Sequence, residues 1–165
     1  MNKIPIKNRL KELVVDYFII IAYLVMLFIV NLGIFFFIIK GFPDYTEIQA
    51  QLIATSTSVI PIILIFSYLD YFKKGSIGKK VSGLKLTYTN YKFSLSILRN
   101  SIKFLPWQLG HAGVIHGVYN GFDLTAIIIA NSGTFLGLIL LFMGLFRKDK
   151  RHLADLIAGT KVELQ

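Results

Sequence analysis

Three apolar runs, each long enough to cross a lipid bilayer as a helix, restrict this chain more than any other feature. They cover residues 14–39, 52–72 and 124–146. A helix needs about 20 apolar residues to span the hydrocarbon core. A soluble domain would not expose three such runs. The sequence therefore predicts an all-α membrane protein that forms a single domain over residues 1–165.

Basic residues assign the two sides of the membrane, because Lys and Arg accumulate in cytoplasmic loops. All 18 of them lie outside the three runs. They cluster before the first run, between the second and the third, and after the third, so we expect these segments and both termini in the cytoplasm. The first cluster consists of Lys3, Lys7, Arg9 and Lys11. Lys40 alone is expected on the outer side.

A fourth, weaker crossing is needed, since one crossing cannot join two segments that lie on the same side. The candidate is residues 101–119, whose one formal charge is Lys103 and which contain Pro106, His111 and His116. The alternative is an interfacial or re-entrant segment here, but the final run is too long for a re-entrant element. The sequence therefore favours a four-crossing helical bundle whose third crossing is weak.

The cytoplasmic loop after the second run differs in composition from the rest of the chain. Residues 75–92 contain three glycines, then alternating apolar and polar residues and a turn-like segment, which predicts a short glycine-rich β-hairpin. Residues 93–103 have apolar positions at helical spacing and predict an amphipathic helix along the membrane surface. In the tail, residues 151–158 predict a short helix that ends at Gly159.

Two aspartates near the cytoplasmic side are the strongest candidates for a functional role. Asp16 lies just inside the first run and almost two helical turns after Arg9, so both side chains point the same way. An ionisable group at that depth is costly unless it is paired, which leaves a structural pair and a functional site as alternatives. Asp155 lies in an apolar part of the tail. There it either clamps Arg9 or a loop lysine, or pairs on the surface with Arg151.

Several kinds of chemistry are disfavoured. The absence of cysteine excludes disulfides and thiolate ligands. The GxxGKK segment that begins at Gly75 lacks the spacing of a phosphate-binding loop, so we expect no nucleotide. His111 and His116 are about 140° apart on a helix and cannot share a metal ion from one face, so we expect no metal or other cofactor. A proton relay through the two histidines is a hypothesis. The net charge of +9 fits cytoplasmic loops better than nucleic-acid binding, and no enzymatic motif is found.

Four segments, taken in order, resemble the RDD family, small bacterial membrane proteins named for one arginine and two aspartates. The segments are KNRLKELVVDYFII, GSIGKKVSGLKL, LRNSIKFLPW and RHLADLIAGTKV. The resemblance implies that Arg9, Asp16 and Asp155 are the named triad. It also implies further motif positions, which are Gly75, Ser76, Gly78, Lys79, Gly83, Arg99, Asn100, Gly159 and Thr160. The region with His111 and His116 departs from the family's pattern.

The resemblance implies a multi-pass protein of the bacterial cell membrane and leaves two functions open. In the first, the Arg-Asp-Asp cluster near the cytoplasmic leaflet serves transport of a small solute or cation/proton exchange. In the second, the cluster is a structural clamp in a non-enzymatic accessory, structural or immunity-type membrane protein. The lipid bilayer is the expected partner in both. A second copy of the chain or another membrane protein is expected too, since one subunit of this size encloses little space.

Overall fold

Long helices dominate the computed structural model, which describes residues 4–41 and 43–165. Within this part of the chain, three helices are long and apolar enough to cross a membrane: Ile6–Ile39, Glu47–Phe72 and Leu124–Phe146. They contain the three apolar runs, so the prediction of a mostly helical chain with three helices able to span a membrane is confirmed. Lys3, one of the basic residues expected in the cytoplasm, lies outside the described residues.

The first long helix shows an open apolar surface over most of its length. It consists of α1 (Ile6–Gly33) and a π-helical segment (Ile34–Ile39). The buried side chains of α1 are three charged residues near its start. Toward the other end the apolar side chains are open, and Phe37 is 84% exposed. Such a surface is costly in water and favourable against lipid.

The second long helix is interrupted at its middle. It consists of α2 (Glu47–Ala54), a π-helical segment (Thr55–Val59) and α3 (Ile60–Phe72). Pro61 has no backbone N–H, so it cannot donate to the carbonyl of Thr57 four residues earlier. The Tyr23 hydroxyl of α1 donates to that carbonyl at 2.5 Å. A neighbouring helix thus compensates the predicted break at Pro61.

The third long helix, α5, covers Phe93–Asn120 without interruption and is about 42 Å long. The sequence predicted a surface helix over residues 93–103, followed by a separate weak crossing. The helix over residues 93–103 is present, but its separation from the crossing candidate is wrong, because the two form one continuous helix. Ser96 and Arg99 are buried in this part of α5, so it packs against other helices instead of lying on lipid.

The last long helix, α6 (Leu124–Phe146), returns antiparallel to α5, and glycines bring the two backbones together. A Cβ on Gly113 would lie 2.6 Å from the backbone nitrogen of Ala130. A Cβ on Gly133 would lie 2.6 Å from the carbonyl oxygen of Pro106. Small residues at such contacts let helices approach closely in a membrane. Side-chain volume therefore limits both positions.

The remaining elements form what we call the terminal cap. They are α4 (Ile77–Val81), β1 (Leu84–Tyr88), α7 (Leu153–Ile157) and β2 (Thr160–Leu164). The strands pair antiparallel, with Leu84 opposite Leu164 and Tyr88 opposite Thr160. The predicted local hairpin is wrong: its first strand exists, but the partner comes from the C-terminal tail. The predicted tail helix is present and ends before Gly159, whose φ is +62°.

Candidate functional site: a buried charged network

Eight charged side chains from α1, α3, α4, α5 and α7 meet at one end of the bundle. We call them the charged network: Arg9, Glu12, Asp16, Asp70, Lys79, Arg99, Lys103 and Asp155. Seven are buried, with exposures of 4% or less, and the side chain of Lys103 is 19% exposed. Charged groups are almost never buried unless they are paired. Their partners therefore decide what the network can do.

Glu12 joins α1 to α4. The Arg9 Nη1 atom lies 2.5 Å from Glu12 Oε2, one helical turn away. The other carboxylate oxygen, Oε1, lies 3.3 Å from Lys79 Nζ. Arg9 also donates from Nη2 to the carbonyl of Lys150 at 3.4 Å, which brings the tail to the same place. The start of α1 is thereby tied to the terminal cap.

Asp70 lies near the end of α3 and receives donors from two elements. Lys79 Nζ donates to Oδ1 at 3.1 Å, and Arg99 Nη1 donates to Oδ2 at 2.6 Å. Asn100 Nδ2 donates to the same Oδ2 at 3.1 Å. Burial alone would lower the pKa of Lys79, but Asp70 and Glu12 raise it above its ordinary value. The ammonium therefore stays charged in this buried position.

Asp155 connects α5 to the tail. Arg99 Nε donates to its Oδ1 at 2.7 Å, and the Thr160 hydroxyl donates to the same atom at 2.9 Å. Burial favours the neutral acid, but the Arg99 guanidinium outweighs it and holds the pKa of Asp155 well below its ordinary value. The carboxylate is therefore ionised and satisfied on both sides.

His152 caps α7 and faces the same carboxylate. The backbone N–H of Asp155 donates to His152 Nδ1 at 3.3 Å, and the backbone N–H of His152 donates to Asp155 Oδ2 at 3.3 Å. Burial, together with the positive charge of Arg99, lowers the pKa of His152 to about 3, although Asp155 opposes this shift. A neutral ring is also what the N–H donation to Nδ1 requires.

Asp16 differs from the other carboxylates because neutral donors bind it. The Ser76 hydroxyl donates to Oδ2 at 2.7 Å, and the Gly78 N–H donates to Oδ1 at 2.9 Å. The nearest cation is Lys103, whose Nζ lies 3.9 Å from Oδ2. That ammonium lies 4.6 Å from the centre of the Phe66 ring, a cation–π distance. The pair of Asp16 and Lys103 is thus the loosest ion pair in the network.

The charges of the network balance. It contains four cations, Arg9, Lys79, Arg99 and Lys103, and four carboxylates, which are those of Glu12, Asp16, Asp70 and Asp155. With His152 neutral the sum is zero. A balanced, hydrogen-bonded group can be buried beside a bilayer at far lower cost than an unpaired charge.

The three residues of the predicted triad all belong to the network, but they do not pair with one another. Arg9 binds Glu12, Asp16 binds α4, and Asp155 binds Arg99. The surface pair between Asp155 and Arg151 does not form either, because Arg151 Nη2 donates to the carbonyl of Asp155 and not to its carboxylate. The expected direct clamp of Asp155 on Arg9 is therefore wrong.

The other predicted motif residues lie in or around the network. Ser76, Gly78, Lys79, Arg99, Asn100 and Thr160 make the contacts given above. Gly75, Gly83 and Gly159 have positive φ and turn the backbone at the ends of α3, α4 and α7. Gly78 is needed for a different reason, since a Cβ there would lie 2.5 Å from Asp16 Oδ1. The glycine loop therefore serves the network through its backbone.

The two histidines of the proton-relay hypothesis lie away from the network. His116 Nδ1 lies 2.7 Å from Glu47 Oε1, and His116 Nε2 lies 3.5 Å from Asp123 Oδ1. His111 packs against the ring of Trp107 at 5.5 Å. His116 is 17 residues after Arg99 on α5, which is about 25 Å along the helix axis. Among the described residues, neither histidine contacts a network side chain directly. His111 is joined to Lys103 only through the rings of Trp107 and Phe104, which do not form a chain of hydrogen bonds.

Four residues that matter at this site were missed by sequence reasoning: Glu12, Asp70, Lys103 and His152. Asp70 carried the clearest signal, because it is the one charged residue in the second apolar run. Glu12 follows Arg9 by one helical turn, a spacing at which opposite charges pair. Lys103 was treated as the end of a surface helix, and nothing in the sequence marks His152 as a cap.

Comparisons with known proteins give one match. The family model of the RDD family matches residues 5–159, which is nearly the whole chain. No curated protein and no solved structure matches. Within residues 4–41 and 43–165, no group of three or more His, Asp or Glu side chains is arranged to hold a metal ion.

Proposed function

Since the chain belongs to the RDD family of membrane proteins, we propose that it exchanges a small cation or a proton across the membrane and that Asp16 is the exchanging group. The long apolar helices and the family support a multi-pass membrane protein. In this proposal the charged network is the polar site at which the exchange takes place. An ionisable residue at the edge of the lipid suggests such a role.

The observation that carries the proposal is the 3.9 Å separation of Asp16 Oδ2 from Lys103 Nζ. The other three carboxylates of the network each have a cation at 3.3 Å or less. Asp16 is held by neutral donors, so a cation or a proton can replace Lys103 as its partner without breaking a tight salt bridge. Lys103 then acts as an internal competitor for the transported cation.

The arrangement of the helices supports four crossings with the network at the cytoplasmic leaflet. α5 runs alongside α6 and antiparallel to α3, and it reaches from Arg99 in the network to His116 near Asp123. It would be the fourth crossing, beside the three apolar helices. Both termini then lie on the basic side, which is cytoplasmic by the distribution of Lys and Arg.

A second candidate function is favoured by the short ion pairs that Arg99 makes within the network. Arg99 lies 2.6 Å from Asp70 and 2.7 Å from Asp155, and all three side chains are closed to solvent. Such a group has the properties of a structural clamp that fixes α3, α5 and the tail. If Asp16 and Lys103 play no part in transport, the protein is an accessory, structural or immunity-type membrane protein that this clamp stabilises.

Flux measurements on purified protein in lipid vesicles test the proposal. A pH gradient is imposed, Na⁺, K⁺ or Li⁺ is added outside, and an internal dye reports proton movement. We expect Asp16→Asn to reduce exchange to the level of protein-free vesicles. We expect Lys103→Gln to lower the cation concentration at half-maximal exchange, because an internal competitor has been removed. Asp44→Asn is the matched control, since it changes the same charge in an exposed loop.

The possible results separate the two functions. Exchange by the Asp16→Asn protein at the normal rate rejects the role of Asp16. Absence of exchange by the unmodified protein with all three cations rejects transport of these ions and favours the accessory function. Thermal unfolding of each variant shows whether a loss of exchange comes from loss of the fold. If Asp16→Asn does not fold, the Lys103→Gln result decides.

A further inference from the structure

A polar cavity of about 180 Å³ lies on the terminal cap, and none of the eight network side chains lines it. It is formed where β1 ends, where β2 begins and beside the loop that precedes α7. The residues that matter for its chemistry are Thr89, Arg151, Gly159 and Lys161. A water molecule in liquid takes up about 30 Å³, so the cavity has room for a group several times larger.

Arg151 provides a fixed positive charge at this cavity. Its Nε donates to the carbonyl of Thr160 at 2.9 Å, and its Nη2 donates to the carbonyl of Asp155 at 3.1 Å. A guanidinium has five N–H donors, so three remain beyond these two bonds. Among the described residues, Arg151 forms no ion pair with a carboxylate. The backbone thus holds the side chain in place and leaves its charge available to a ligand.

Lys161 and Thr89 add further donors. Lys161 Nζ lies 3.2 Å from Glu163 Oε1, and the two side chains are 42% and 40% exposed. Exposed pairs of this kind are weak, so a bound anion can compete with Glu163 for the ammonium. The neighbouring wall is Gly159, at which a Cβ would lie 3.7 Å from Thr89 Cβ. Because Gly159 has no side chain, no Cβ occupies the space beside the Thr89 hydroxyl.

The charges around the cavity favour an anion. Outside the network, the segments at this end of the bundle contain two acids, Asp149 and Glu163, among the described residues. The same segments contain many cations: Lys7, Lys11, Lys73, Lys74, Lys80, Lys85, Lys92, Arg147, Lys148, Lys150, Arg151 and Lys161. An excess of one sign around a concave site raises the local concentration of the opposite ion.

We propose that this cavity binds a phosphate group through Arg151, Lys161 and Thr89. A planar guanidinium and an ammonium are the side chains that recognise phosphate best. The phosphate can come from two sources, inorganic phosphate or a soluble phosphorylated molecule on one hand, and the headgroup of an anionic phospholipid on the other. The proposal does not depend on ion exchange at Asp16, because none of the eight charged side chains of the network lines the cavity.

The experiment uses the full chain in a nonionic detergent. One arm titrates inorganic phosphate by calorimetry, and the other measures retention of phosphatidic acid against phosphatidylcholine by native mass spectrometry. We expect Arg151→Gln and Lys161→Gln each to weaken binding by about tenfold or more, the effect of losing one charge-assisted hydrogen bond. Lys85→Gln is the matched control: it removes a lysine from β1 that is not in the cavity wall.

Each result has a defined meaning. Saturable binding of inorganic phosphate that the two cavity variants weaken supports a soluble ligand. Selective retention of phosphatidic acid with the same variant pattern supports a lipid headgroup. Lys161 is exposed, so Lys161→Gln keeps the test valid even if Arg151→Gln does not fold. The proposal is overturned if neither probe binds saturably, or if Lys85→Gln weakens binding as much as Lys161→Gln.

Discussion

Asp70 Oδ2 on α3 lies 2.6 Å from Arg99 Nη1 on α5, and both side chains are closed to solvent. This pair is the centre of the charged network, because Asp70 also binds Lys79 and Arg99 also binds Asp155. One contact therefore links the second long helix, the third long helix, α4 and the tail. Removing Asp70 leaves Lys79 and Arg99 with one carboxylate fewer, and removing Arg99 leaves Asp70 and Asp155 without their shared cation.

We expect Asp70→Asn to lower the free energy of unfolding by about 3–5 kcal/mol, the usual cost of breaking a buried ion pair from one side. The amide keeps the shape of the side chain but leaves Lys79 and Arg99 in excess. Thermal and denaturant unfolding in detergent, followed by the fluorescence of the single tryptophan Trp107, measure the change. Asp44→Asn, in an exposed loop, should unfold like the unmodified protein. Equal stability of the two variants would contradict the central role of Asp70.

The contact of α4 with α1 leaves no space for a side chain at Gly78. A Cβ there would clash with the carbonyl of Glu12 and lie 2.5 Å from Asp16 Oδ1. We expect Gly78→Ala to cost about 1–3 kcal/mol, because overpacking moves α4 away and breaks the N–H bond to Asp16. Gly110→Ala is the matched control, since a Cβ at Gly110 meets nothing within 4 Å. If the two variants unfold at the same temperature, the contact is looser than the structure indicates.

The apolar runs and the clustering of basic residues between them contain most of the information about the long helices, because span length and composition are local properties. Three of the four long helices follow from them directly. The pairing of β1 could not be predicted in the same way. Leu84 and Leu86 alternate as in a strand, but the partner that buries them, around Val162, is more than seventy residues away. Local alternation identifies a strand and not its neighbour.

The site was partly predictable for a similar reason. Arg9, Asp16 and Asp155 stand out because each is an ionisable group in or beside an apolar segment. Their actual partners depend on how α3, α5 and the tail approach one another, which is a tertiary property. Asp70 meets the same criterion as Asp16, because it is the one charged residue in the second apolar run, so the sequence does contain a signal for it. His152 gave no signal, since its role depends on a capping geometry that histidine rarely provides.

The pH dependence of stability should reveal His152. Its pKa is about 3 in the folded protein, against an ordinary value of 6.5. The unfolded chain therefore binds a proton first as the pH falls, and stability is lost between about 6.5 and 3, by at most about 1.4 kcal/mol per pH unit. His152→Asn retains a good capping residue without a group that titrates in this range. We expect its unfolding temperature to depend less on pH between 6.5 and 4; an unchanged slope would exclude His152 as the source.

The contact between Tyr23 and the carbonyl of Thr57 should depend on Pro61. Tyr23→Phe removes the hydroxyl that donates to this carbonyl, at an expected cost of about 1–3 kcal/mol. Pro61→Ala restores a helical N–H that can donate to the same carbonyl. In the Pro61→Ala background, Tyr23→Phe should therefore cost clearly less.

A double-mutant cycle over these two positions measures the difference, with unfolding in detergent as the readout. Tyr68→Phe is a suitable control, because Tyr68 is also a tyrosine on a long helix but has a 48% exposed side chain. Its effect should be small and the same in both backgrounds. Equal costs of Tyr23→Phe with and without Pro61 would show that the hydroxyl does not compensate for the missing N–H. The π-helical segment before Pro61 would then have to satisfy that carbonyl by itself.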